Sequence, residues 1–177
     1  AVTSAGLLAA SKNPMAQRES RHSYSISLEQ GEITNQKQSG RCWMFAALNT
    51  FRFEVIKNLN LKTFELSQNY TLFYDKLEKS NYFLESILET LDEPLDGRLM
   101  AYLLSMPLND GGQWDMFCGL VEKYGVVPKD AMPESVSSSA TREMVSWMTY
   151  KLREFACVLR ETHQQGASME ELRAKKD

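Results

Sequence analysis

Directly after a polar run from Asn35 to Arg41, the apolar residues Met44, Leu48, Phe51, Val55 and Leu59 recur at intervals of four, three, four and four. That spacing lays one apolar stripe along a helix of about four to five turns and excludes a strand, whose faces alternate every second residue. Phe45 and Phe53 widen the stripe, so the helix is expected to be buried on more than one side and to be the central helix of its lobe. Ser39 and Gly40 punctuate its start. Cys42 is thereby set at the junction of a Ser-Gly-Arg loop and an apolar helix.

Further helices are predicted around Ser67 to Leu91, from Gly97 to Leu104, and from Trp114 to Tyr124, where Gly125 is placed to terminate the helix before Val126-Val127-Pro128. After a polar connector, Pro133 to Ser139, the periodicity resumes from Thr141 to Arg160 with Met144, Trp147, Met148, Leu152, Phe155 and Leu159 on one side. Upstream of the cysteine, Tyr24 to Leu28 and Gln30 to Thr34 alternate as a strand or extended segment broken by a turn at Gly31. Ala1 to Ser11 reads as a helix or connector and lacks the basic leader of a signal peptide.

A chain of 177 residues with 43% apolar and 24% charged residues can bury one substantial core. Its formal charge of -3 supplies no basic field for a phosphate backbone, so nucleic-acid binding is not expected. No run approaches the roughly 20 apolar residues that span a bilayer. Three cysteines, Cys42, Cys118 and Cys157, at long irregular spacings suggest neither a disulfide framework nor a zinc site, and fit a reducing, cytoplasmic compartment. The absence of an initial Met and the charged helical pattern at Lys175-Lys176-Asp177 read as the ends of a piece cut from a longer chain.

A thiol becomes a strong nucleophile once ionised, and the first turn of a helix favours the anion through its unpaired N–H groups and macrodipole. A lone cysteine before an apolar helix is more often a small buried residue. Gln36, six residues upstream, is either a polar loop residue or an amide able to fold back beside the Cys42 N–H as an oxyanion donor. Gly111-Gly112 is by itself only a turn signal. Lys37 and Arg41 flank the cysteine, either as cations that favour the thiolate or, the commoner case, as solvated loop charges; Cys118 and Cys157 read as core or half-buried thiols, and Phe51, Phe53, Tyr70, Phe73 and Tyr74 as core more than as subsites.

The run Asn35-Gln36 followed by Cys42-Trp43-Met44-Phe45-Ala46 resembles the nucleophile segment of the papain superfamily. Phe64 to Gln68, Asp96 to Leu99, Asn109 to Met116 and Val121 to Lys129 follow in the order of its bleomycin hydrolase and bacterial aminopeptidase C branch. Pro133 to Ser135, Ala140 to Arg142 and Lys151 to Phe155 extend the match.

The resemblance implies Cys42 as nucleophile, Gln36 as oxyanion-hole donor, and Gly111 and Gly112 as the paired glycines along which an extended substrate backbone lies. Trp43 would pack beneath the loop. Ser39 and Asn109 stand where secreted relatives carry a disulfide, in keeping with a reducing compartment.

An α+β papain-like fold of two lobes is implied. Residues 1–34 would be an N-terminal extension and lead-in strand, 35–132 the helical lobe with nucleophile loop and glycine segment, and 133–177 a helical insertion. The implied activity is that of a thiol aminopeptidase acting on peptides through a thioester, with no metal or organic cofactor. It would be a cytoplasmic homohexamer whose sites face the interior, with a C-terminal tail in the cleft. The catalytic His and Asn are expected outside this chain. His163 lies in a hydrophilic setting that reads as a helix end, and His22 precedes the nucleophile. Two other readings are a catalytically idle fragment or assembly subunit, and an acyl transferase that passes the thioester to an amine or thiol.

Overall fold

A computed structural model of the chain describes residues 2–19, 23–28 and 31–177. Three short helices come first, α1 (Val2–Ala5), α2 (Leu7–Ser11) and α3 (Pro14–Glu19). Gln30, in the expected alternating segment, and His22 lie outside the described residues. The described part, 23–28 and 31–34, runs without strand pairing, and Ile26, Leu28 and Ile33 are exposed. It is extended chain with no sheet to join. Gly31 turns it with a φ of 69°. Its end is fastened to the next helix by Arg52 Nη2 donating to Glu32 O at 2.7 Å and by Asn49 Nδ2 donating to Thr34 Oγ1 at 2.8 Å.

The four-three spacing after Cys42 becomes α4 (Cys42–Asn58), with Met44 and Leu48 fully buried and Phe51 and Val55 half-buried. Then come α5 (Gln68–Glu89), α6 (Arg98–Ser105), α7 (Trp114–Tyr124), a 3-10 turn at Lys129–Ala131, α8 (Val136–Ser139), α9 (Thr141–Gln164) and α10 (Met169–Lys176). Gly125 ends α7 at φ 74° with its N–H returned to Val121 O, as a residue without Cβ can.

The centre of the structure is α5, not α4: it packs against α4, α6, α7 and α9. Its C-terminal half shares a core with α6, α9 and α10 that includes Phe83, Ile87, Met100, Leu152, Leu159 and Leu172. A second cluster, Ala47, Leu48, Leu66 and Phe117, joins α4 to α7, with Trp43 and Phe51 packed on it. Along α9 the buried line is Thr141, Leu152, Ala156 and Leu159, while Trp147 and Phe155, expected on the inner side, are exposed. Among the described residues β-pairing is limited to two isolated bridges, Gln38 with Ala140 and Leu66 with Pro128, and no helix is long and apolar enough to cross a membrane.

Candidate active site

Cys42 is the first residue of α4 and its thiol is exposed. No side chain caps this helix end, and the first return bond is Phe45 N–H to Arg41 O at 3.0 Å. The N–H groups of the first turn therefore point their positive ends at the thiol's surroundings. The loop before it is internally braced. Lys37 takes a left-handed conformation, φ 52°, with its N–H on Asn35 Oδ1 at 2.7 Å. Ser39 Oγ donates to Gln36 O at 2.6 Å and accepts from Arg41 Nε at 2.8 Å. Gln36 is half-buried, and its side-chain amide has no hydrogen-bond partner among the described residues, so it is a spare donor on the segment leading to the thiol.

Arg41 is not a solvated loop charge. It is 1% exposed, donates from Nη1 and Nη2 to the two oxygens of Glu134 at 2.8 Å each, and lies 5.0 Å from the centre of the Phe45 ring. A guanidinium taken out of water requires such a two-point carboxylate. The peptide groups join in: Gln38 N–H donates to Ser139 O at 3.0 Å and Thr141 N–H to Gln38 O at 3.3 Å. Residues 134–141 thus hold the nucleophile loop from one side.

Asp110 holds it from the other. Its Oδ2 accepts from Gly40 N–H at 3.4 Å and from the Thr141 hydroxyl, its Oδ1 pairs with Lys76 at 2.8 Å, and its carbonyl accepts from Trp43 Nε1 at 3.0 Å. A Cβ at Gly40 would stand 2.4 Å from Asp110 Cβ, and one at Gly112 2.4 Å from the Trp43 indole. Two glycines are thus demanded by close approach, one in each loop. Gly111 is exposed and a Cβ there would meet nothing. Trp43, expected beneath its own loop, packs against the glycine loop, its indole on Gly112 and its Nε1 on Asp110 O.

Two lysines of α5 complete the frame. Lys76 Nζ donates to Asn109 O at 2.7 Å, and Lys79 Nζ donates to Asn109 O at 3.1 Å and Gly111 O at 2.6 Å while pairing with Asp75 at 2.9 Å. Burial pushes the Asp75 carboxyl up despite these two cations, and burial pushes the Lys79 ammonium down. For Asp110, burial acts upward, but the bonds from Lys76 and Thr141, the Lys76 charge and the Gly40 N–H together hold it below its ordinary value. For Glu134, burial likewise opposes, and is outweighed by the bonds from Arg41 and Ser138. The result is a thiol on a fixed helix end, a free amide nearby in sequence, and a glycine pair tied to the same frame.

A sequence model of the Peptidase C1-like family matches residues 1–177. The chain belongs to the Peptidase C1-like family. It is 49% identical over 177 residues to an aminopeptidase C of Streptococcus thermophilus, covering all of this chain and 40% of that relative. It is 47% identical over 156 residues to the bleomycin hydrolase of Homo sapiens, covering 87% of this chain and 34% of that one. The crystal structure of PepW from Lactobacillus rhamnosis HN001 superposes with a TM-score of 0.89 at 50% identity, covering 99% of this chain and 39% of that one. The chain thus spans about 40% of the length of such relatives, and the bleomycin hydrolase and aminopeptidase C resemblance holds along it.

Within this family member, His163 sits on the last turn of α9, with Nε2 3.2 Å from Asp92 Oδ1, and it makes no hydrogen bond to Cys42. Cys118 is half-buried as expected, whereas Cys157 is exposed. Phe73 is exposed as well, while Phe51, Phe53, Tyr70 and Tyr74 are half-buried. Sequence reasoning missed Asp75, Lys76, Lys79, Asp110, Glu134 and Thr141. One signal was present: Asp75, Lys76 and Lys79 fall on the line between the apolar Leu72 and Phe83, where a helix of this kind buries its side chains.

Proposed function

We propose that the chain is the nucleophile-bearing part of a thiol aminopeptidase, and that Cys42, Gln36, Gly111 and Gly112 act as nucleophile, oxyanion donor and substrate-bearing edge. The observation that carries the reading is the exposed Cys42 thiol on the uncapped first turn of α4. In this reading the thiolate attacks the scissile carbonyl carbon, and the carbonyl π pair moves to an oxygen held by the Gln36 amide and the Cys42 N–H. Collapse expels the amine, which takes a proton from an imidazolium, and water then cleaves the thioester and restores the thiol. In this reading the histidine and the Asn that orients it are supplied from outside this chain, by a second, strand-bearing lobe. No metal or organic cofactor enters any step. By family likeness the working form is a homohexamer in a reducing cytoplasm.

In the complete enzyme at mildly acidic pH, iodoacetamide is expected to alkylate Cys42 much faster than Cys118 or Cys157, and Cys42→Ala to abolish peptide hydrolysis. Equal alkylation of the three thiols sinks the nucleophile assignment. Exposure alone does not predict this result, since Cys157 is exposed too. Aminoacyl amide hydrolysis run with competing amines or thiols separates peptidase from acyl transferase.

The pairing of His163 with Asp92 favours a second reading for these residues by themselves, that of an idle piece. The isolated chain is then expected to show no turnover until a polypeptide bearing the His and Asn is supplied.

A further inference from the structure

All three hydrogens of the Lys79 ammonium are engaged, by the Asp75 carboxylate at 2.9 Å, Asn109 O at 3.1 Å and Gly111 O at 2.6 Å. An ammonium has three donors and no acceptor, so three acceptors in place leave it no rotational freedom. The side chain is 12% exposed, with Nζ 5.5 Å from the centre of the Trp43 ring. A methionine of similar length would pack that stem without removing a charge from water. What the ammonium alone supplies is a three-point hold.

Its shortest bond falls on a carbonyl between two glycines, where the backbone has the widest freedom to turn. None of the described peptide bonds is cis. In a trans peptide the C=O and the N–H of the same unit point to opposite sides. Drawing Gly111 O toward α5 therefore turns the Gly112 N–H away from α5. Gly112 has little freedom to turn back, because its Cα lies against the Trp43 indole. Its N–H has no acceptor among the described residues, and it is an unpaired donor on the side of the loop away from α5.

We infer that Lys79 is a positioning residue that, by holding the Gly111 carbonyl, aims the Gly112 N–H at a backbone carbonyl of the bound peptide. This rests on the reading that the glycine pair receives an extended substrate backbone. Lys76, on Asn109 O and Asp110, secures the upstream end of the same loop.

The test uses the complete enzyme. Removing Lys79 alone leaves the buried Asp75 with only Lys76, at 3.4 Å, so Lys79→Met is combined with Asp75→Asn to keep the charge balanced. Amide hydrogen exchange across residues 109–113, KM and kcat for a peptide substrate, and alkylation of Cys42 by iodoacetamide are measured together. Expected are faster exchange in the loop, KM raised roughly ten-fold with kcat changed far less, and alkylation within about two-fold of wild type. Lys79→Arg keeps the charge but not the three-point geometry, and should show the same split, smaller, even if the double variant does not fold. Unchanged exchange with unchanged KM overturns the role of Lys79. Faster exchange with unchanged KM overturns the glycine edge as the substrate's docking strand and leaves Lys79 structural. Alkylation and kcat falling in step overturn the inference as well, since they report general damage around the thiol.

Discussion

At the residue scale, the two adjacent glycines have opposite sensitivities. Gly112→Ala forces a Cβ into the Trp43 indole and strains its bond to Asp110 O, whereas Gly111→Ala adds a methyl to open space. Overpacking of this kind costs about 1–3 kcal/mol. Urea unfolding should therefore show a clear loss for Gly112→Ala and little change for Gly111→Ala. Equal losses would refute the close approach of Trp43 to Gly112. Arg41 teaches a related lesson. A guanidinium in a Ser-Gly-Arg loop reads as solvated because its partner, Glu134, is remote in sequence, and pairing at that distance leaves no local trace.

At the element scale, α5 is fixed at both ends. Ser67 Oγ accepts from Tyr70 N–H at 3.0 Å and donates to Met132 O at 2.6 Å. At the other end Arg160 donates to the C-cap carbonyl, Thr90 O, at 2.7 Å, placing a cation where the helix dipole is negative, and to Glu93 O in the turn beyond. Ser67→Ala should lower stability by about 1–2 kcal/mol, read as a fall in the urea midpoint. A midpoint unchanged from wild type would remove the cap from the account.

Helix identity was legible for α4, α5, α6, α7 and α9 because each carries an apolar stripe at helical spacing and most have a terminator or cap in sequence. Which face of α9 turns inward was less so: Trp147 and Phe155 sit one step off the line Leu152–Ala156–Leu159 and are left in the open. The alternating residues 24–28 predict a strand or extended chain by pattern, yet a strand also needs an edge to pair with, and only the extended form is found. In the candidate site, Cys42 and the glycine pair were legible from their motif. The carboxylates and lysines that hold them were not, since contacts across 30 to 93 residues obey no periodicity.

At the scale of the whole molecule, one buried and two half-buried carboxyls set the response to acid. Asp110 and Glu134 are held below the ordinary range, so their contributions are complete above the ordinary carboxylate range, about pH 4 to 5, and are lost as the pH falls through their depressed values. Asp75, raised by burial, acts in the opposite direction: the folded chain takes up its proton before the unfolded one does, and gains stability as the pH approaches about 4 from above. Glu134→Gln should therefore flatten the fall in unfolding free energy below about pH 4 while leaving the neutral range parallel to wild type. Denaturant titrations at a series of pH values measure this, and identical acid slopes would count against the Arg41–Glu134 pair as a source of acid lability. The ties that place the nucleophile loop reach forward to Asp110, Glu134, Ser139 and Thr141. During synthesis, a ribosome must therefore release about a hundred residues beyond Cys42 before that thiol has its setting, so the growing chain carries an unarmed cysteine until its cradle has emerged.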